Sequence, residues 1–353
     1  MSNFAEDEPR GPLEDAMPED AIRENAIHDG AISEDAIHEN AIPEGMIPQG
    51  VLPEPLGDPT AAVLEPLGAE LPLFHSFTQP EPAPPARIPH LGHFLLLLVL
   101  LLAGFAGAIV VLLLALHFHL DGVSTVQGTK TNIHYTLGSE GLGYLFCFLL
   151  SLAIFPLLWH QSLFAGVQWN VDTAIRLRWR LVSAAALCMG LALLNTLVLP
   201  GPKHAPIEDI FREPGAAWLL FAFGVTVAPF FEELCFRGFL LPALCTAYDW
   251  CAEKMYRAPR LPLAEDGHPQ WSFAAMATGA VVTSIPFAWL HAAQTGYSIG
   301  PFLLLVGVSI VLCAVRLWTR SLASSTLVHA SYNFMLFSIM LIGTQGFRHL
   351  DKM

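Results

Sequence analysis

Residues 230–244 read FFEELCFRGFLLPAL, which puts Glu232, Glu233 and Arg237 inside an otherwise apolar run. A charge at the centre of a membrane helix costs about 2.5–3.5 kcal/mol on insertion scales, so three of them close together need partners or a chemical task. Glu233 and Arg237 stand four residues apart, one above the other on a helix face, which suits an ion pair. Glu232 is rotated by roughly 100° from its neighbour at 3.6 residues per turn, and so can face a different cavity. There it has the right chemistry to take a proton from water and deliver it to a leaving group.

Two histidines lie in comparably apolar sequence, His291 in SIPFAWLHAA and His329 in TLVHASYNF. Phe287 shares a helix face with His291, and Pro286 loosens the helix one turn earlier; Asn333 shares a face with His329. No Asp or Glu occurs between Asp266 and Asp351, and Glu232 and Glu233 are the only acids read as lying deep in apolar sequence. They are therefore the expected acidic partners of both histidines. Glu232, His291, His329 and Asn333 together suit water activation or proton transfer in one buried pocket. Plainer readings exist for each taken singly: a structural ion pair for Glu233–Arg237, a hydrogen-bonded packing residue for either histidine, and interhelical glue for Asn333.

These residues need membrane helices to carry them. The 353-residue chain is 54% hydrophobic and 14% charged, with mean hydropathy +0.50, a balance that excludes a large soluble domain. Apolar stretches near the roughly 20 residues needed to span a bilayer occur at 93–116, 142–159, 181–199, 216–231, 272–293, 299–318 and 322–344. The piece 234–247 continues the fourth as an amphipathic or re-entrant segment, or as an eighth span. The expected fold is all-α, a polytopic helical membrane protein of seven or eight spans over 90–353. Arg176, Arg178 and Arg180, then Lys254, Arg257 and Arg260, then Arg316 and Arg320, fall on alternate connections. That pattern predicts a cytoplasmic face for those loops and for the N-terminus, in the plasma (inner) membrane.

Residues 1–92 hold 18 Asp/Glu against three Arg, whereas the rest of the chain holds 13 acids against 14 Lys/Arg. The net charge of −14 thus belongs to a tail, and no nucleic-acid partner is expected. From residue 16 the tail repeats in fives (AMPED, AIREN, AIHDG, AISED and on), a period of neither helix nor strand, and prolines thicken at 79–89. A disordered, solvated tail over 1–89 is expected. The six cysteines show no CxxC or CxxH spacing and read as small apolar packing. His117 and His119 have the spacing of a metal pair but sit at a segment end, and read as interfacial.

EELCFRG at 232–238, FAWLH at 287–291 and HASYN at 329–333 resemble, in order, the EExxxR, FxxxH and HxxxN motifs of the CPBP family of intramembrane proteases. That family includes C-a-a-X prenyl endopeptidases and bacteriocin-immunity relatives, and the resemblance covers about 216–340. It implies that Glu232 and His291 activate water, that His329 and Asn333 stabilise the oxyanion, and that Glu233, Arg237 and Phe287 support the site. The implied substrate is a membrane-associated peptide or protein, with a prenylated C-terminus as the best-known class. Members are often labelled metalloproteases. Glu232, His291 and His329 would make a His₂Glu zinc set, but recruiting Glu232 as a ligand removes the evident base, and metal-free glutamate chemistry is the preferred expectation. Two readings from other classes stay open: a proton-coupled transporter using Glu232, His291 and His329 as a relay, and a non-catalytic immunity or scaffold protein.

Overall fold

The computed structural model describes residues 87–199 and 215–347, so all but the last three residues of the expected tail lie outside it. Among the described residues the chain is helical, apart from an isolated bridge between Leu263 and Pro269. The long elements are α1 (Leu91–His117), α3 (Ile133–Trp159) and α6 (Arg178–Val198). Short helices α2 (Val126–Thr131), α4 (Leu163–Gly166) and α5 (Val171–Arg176) connect them. A second set begins with α7 (Ala216–Val225), α8 (Val227–Glu233), a π-helical stretch Leu234–Leu240, and α9 (Leu241–Tyr256). Then come α10 (Phe273–Ala292), α11 (Ile299–Thr319) and α12 (Leu322–Gly343).

Seven of these helical runs are long and apolar enough to cross a membrane, which makes this an integral, multi-pass membrane protein. The fourth is one 41-residue run from Ala216 to Tyr256. Residues 234–247 are therefore neither re-entrant nor a separate span: helical hydrogen bonding passes through the charged residues without reversal. Leucines such as Leu95, Leu102 and Leu157 point outward, as expected of faces solvated by lipid.

Side-chain caps set several starts. Asn132 accepts from the backbone N–H groups of His134 and Tyr135, so α3 begins nine residues before the apolar run that signals it. Glu140 consequently lies two turns inside a helix long and apolar enough to cross a membrane, just before the apolar run at 142–159. Asp249 accepts from the Ser272 N–H (3.0 Å) and hydroxyl (2.6 Å), fastening α9 to the start of α10.

Small residues let α1 and α3 approach closely. A Cβ added at Gly104 would lie 2.6 Å from the Gly143 carbonyl oxygen. One core joins Leu97, Cys147, Phe155, Phe231 and Phe239; a second joins α6 to α11 and α12 through Leu181, Cys188, Leu312 and Val328. Arg316 is not a loop cation as its sequence position suggests. It is 2% exposed and donates to Gln168 Oε1 (2.8 Å) and the Val167 carbonyl (3.3 Å), pinning the 163–177 turn to α11. All six cysteines are free, four of them buried. His117 and His119 are exposed, and no group of three or more His, Cys, Asp or Glu among the described residues could hold a metal ion.

Candidate active site

The site is built where the fourth helical run is least regular. Thr226 leaves α-helical geometry (φ −117°, ψ −70°) between α7 and α8. Pro229, three residues on, has no N–H to continue the ladder and crowds the preceding turn. Directly after Glu233 the hydrogen bonding widens to i→i+5 for Leu234–Leu240. A π-helical insertion shifts the faces on either side of it and is often found at functional positions.

Glu233 and Arg237 are both fully buried and paired at 2.9 Å. The same guanidinium donates to the Ser309 hydroxyl (2.8 Å) and carbonyl (3.1 Å) of α11 and stacks over Phe287, 4.5 Å from the ring centre. Phe287, 1% exposed, also meets the rings of Phe236, His291 and His329. Arg237 and Phe287 thus link the π-helical stretch to α10, α11 and α12.

Glu232 faces the other way. Its Oε1 is 3.7 Å from His291 Nε2, and its Oε2 is 3.7 Å from His329 Nε2. The Glu232 side chain keeps 19% exposure, yet Oε2 is buried with no hydrogen-bond partner among the described residues. Each imidazole is oriented from behind. His291 Nδ1–H donates to the Phe287 carbonyl (2.8 Å), and His329 Nδ1–H donates to Glu233 Oε1 (3.0 Å). With each Nδ1 engaged from behind, both Nε2 atoms face the Glu232 carboxylate.

Three residues of the expected constellation therefore gather, Glu232, His291 and His329, with Glu233 bonded behind the last. Asn333 is employed differently. Its amide N–H donates to the Gly224 carbonyl at 2.7 Å, an acceptor released where the helix breaks at Thr226. One N–H of that amide is thus spent on holding α7 against α12. Glu232 and Glu233 were both expected as acidic partners of the histidines; which of them would bond His329 directly was not specified, and it is Glu233.

From α3 a further polar pair approaches. The Tyr144 hydroxyl donates to Glu140 Oε1 at 2.8 Å, and the Tyr144 ring stacks on Phe231, the residue before Glu232, at 4.3 Å and 7°. No sequence pattern marked this pair.

Seven membrane-capable helices, three of which carry a glutamate, two histidines and a buried ion pair, define a polytopic membrane protein. The model of the family described as type II CAAX prenyl endopeptidase Rce1-like matches residues 214–335, so this segment is similar to that family. All three sequence motifs fall inside the match. No curated protein and no solved structure matches the chain. The matched segment excludes α1–α6, and with them Glu140 and Tyr144.

Proposed function

We propose that this protein is an intramembrane endopeptidase in which Glu232, assisted by His291, activates water for attack on a peptide bond. The observation that carries the reading is the Glu232 carboxylate standing 3.7 Å from both histidine Nε2 atoms, with Oε2 buried and unpaired. A 3.7 Å separation is too long for a direct hydrogen bond but lets one water bond both partners at ordinary lengths. Glu232 takes the water's proton as its oxygen attacks the carbonyl carbon, then returns it to the leaving nitrogen.

His329, when doubly protonated, keeps Nδ1–H on Glu233 and aims Nε2–H into the pocket, where the oxyanion forms. Asn333 has a second amide N–H for the same oxygen, its first being held by Gly224. Glu233 and Arg237 orient His329 from behind, and Phe287 walls the cavity. The carboxylate serves as base in this reading and not as a zinc ligand. The substrate is a membrane-associated peptide, with a C-a-a-X C-terminus, lipidated or not, as the class suggested by the family description. The Arg-rich loops and the tail face the cytoplasm, consistent with seven spans that put Arg176–Arg180 and Lys254–Arg260 on one side.

The test is incubation of the purified full chain with a peptide library that includes prenylated and unprenylated C-a-a-X termini, read by mass spectrometry. Cleavage at a defined bond is expected. Absence of any cleavage by folded protein would leave the transporter or scaffold reading in its place.

A further inference from the structure

Arg87 lies just ahead of α1 and is only 8% exposed. Its Nη2 meets Glu253 Oε1 of α9 at 2.6 Å and the Leu261 carbonyl at 3.4 Å. Nε is buried without a hydrogen-bond partner, and Nη1 takes none among the described residues. A guanidinium carries five N–H donors, and buried polar groups are ordinarily paired. One carboxylate and one carbonyl leave this one under-used.

The same side chain lines a cavity of about 380 Å³ where the start of α1 meets the second half of α9. His90, Leu91, Trp250, Glu253 and Arg260 line it as well. Two guanidinium groups there outnumber one carboxylate, and the N-terminus of the 27-residue α1 adds about half a positive charge. His90 Nδ1 accepts the Gly92 N–H at 3.1 Å, so the ring's own proton sits on Nε2 as a further donor. This donor set suits a phosphate.

Two observations give that phosphate a lipid body. Leu91 is exposed and begins a stripe of outward-facing apolar residues, Leu95, Val99 and Leu102, which leads away from the cavity along α1 at helical spacing. Trp250, exposed on the cavity's wall, is of the residue type that gathers at headgroup depth. We propose that this cavity is a headgroup site for an anionic phospholipid, with the phosphodiester against Arg87 and Arg260 and an acyl chain along the Leu91–Leu102 stripe. Such a lipid reinforces the joint between α1 and α9 that the Arg87–Glu253 ion pair already spans, and Glu253 competes with it for Arg87. None of Glu232, His291 and His329 lines the cavity, so the proposal holds whether or not the chain cleaves peptides.

The experiment presents three probes to the purified, delipidated full chain in detergent: dioleoyl phosphatidylglycerol, dioleoyl phosphatidylcholine with the same chains but no net charge, and glycerol phosphate without chains. Native mass spectrometry and thermal unfolding read binding for wild type, Arg87→Gln, Arg260→Gln and Glu253→Gln. Wild type should hold phosphatidylglycerol about tenfold more tightly than phosphatidylcholine, the scale of one charge-assisted hydrogen bond, and unfold at a higher temperature with it bound. Glycerol phosphate should bind far more weakly. Arg87→Gln should lower the phosphatidylglycerol affinity about tenfold and Arg260→Gln about fivefold, whereas Glu253→Gln, which removes the competing carboxylate, should raise it. Phosphatidylcholine binding should stay the same throughout. If Arg87→Gln does not fold, the opposite shifts of the other two variants carry the test. Equal retention of both lipids by wild type, or discrimination unchanged in Arg260→Gln and Glu253→Gln, means annular lipid only and overturns the proposal. Glycerol phosphate bound as tightly as phosphatidylglycerol also overturns it, because the site then serves a soluble phosphate.

Discussion

Arg237→Met tests the buried frame of the site. The wild-type guanidinium is fully buried, pairs with Glu233 at 2.9 Å and makes two bonds to Ser309. Its removal leaves Glu233 at zero exposure, with His329 as its remaining hydrogen-bond partner. Stripping one member from a buried ion pair costs about 3–5 kcal/mol. Adding Glu233→Met removes the stranded charge, and apolar replacement of a whole buried pair is often neutral or better. What remains is the Ser309 carbonyl without its donor, about 1–3 kcal/mol. The double variant should therefore unfold at a higher temperature than the single one. Activity should not return with stability, because His329 then has no acceptor behind Nδ1 and its ring is free to turn. Thermal unfolding in detergent and peptide cleavage are to be measured on all three proteins. A double variant no more stable than Arg237→Met, or one with wild-type activity, would refute the reasoning.

Three further outcomes follow from the same structure. Asn333→Ala frees the Gly224 carbonyl and should cost about 1–3 kcal/mol of stability; if the second amide N–H serves the oxyanion, kcat should also fall by about 10²–10³-fold, and unchanged kcat would confine Asn333 to holding α7. Gly104→Ala forces a Cβ to within 2.6 Å of the Gly143 carbonyl oxygen and should destabilise the α1–α3 pair by about 1–3 kcal/mol, seen as a lower unfolding temperature. Chelators should leave the cleavage rate unchanged, and metal analysis of the purified protein should find less than one zinc per chain; stoichiometric zinc with activity lost on chelation would move Glu232 from base to ligand.

Sequence spacing revealed those parts of the site that lie within one helix. Glu233 and Arg237, like Phe287 and His291, share a face at four-residue spacing, and a charge in apolar sequence stands out without coordinates. Contacts between helices were less legible. The Glu233–His329 bond spans 96 residues, and nothing in either local pattern says which of two adjacent glutamates turns toward the histidine. A π-helical stretch shifts faces by one residue without leaving a periodic trace, so the geometry after Glu233 could not be read in advance. Asn333 was read either as interhelical glue or, from the HxxxN resemblance, as an oxyanion donor; its acceptor, the Gly224 carbonyl, could not be named from sequence, where the break at Thr226 shows only as Pro229. Glu140 escaped notice because hydropathy begins α3 at 142, whereas the Asn132 cap begins it at Ile133. Arg316 was counted with loop cations for want of any sign of its partner, Gln168.

The most direct measurement is the single-turnover cleavage rate of Glu232→Gln beside wild type, on a library-identified peptide, with both proteins shown to be folded by thermal unfolding. The amide keeps the shape of the side chain but cannot take a proton from water, so the rate should drop by about 10²–10⁴-fold with little change in unfolding temperature. A glutamine variant that cleaves at the wild-type rate would show that the carboxylate between the two imidazoles is not the base.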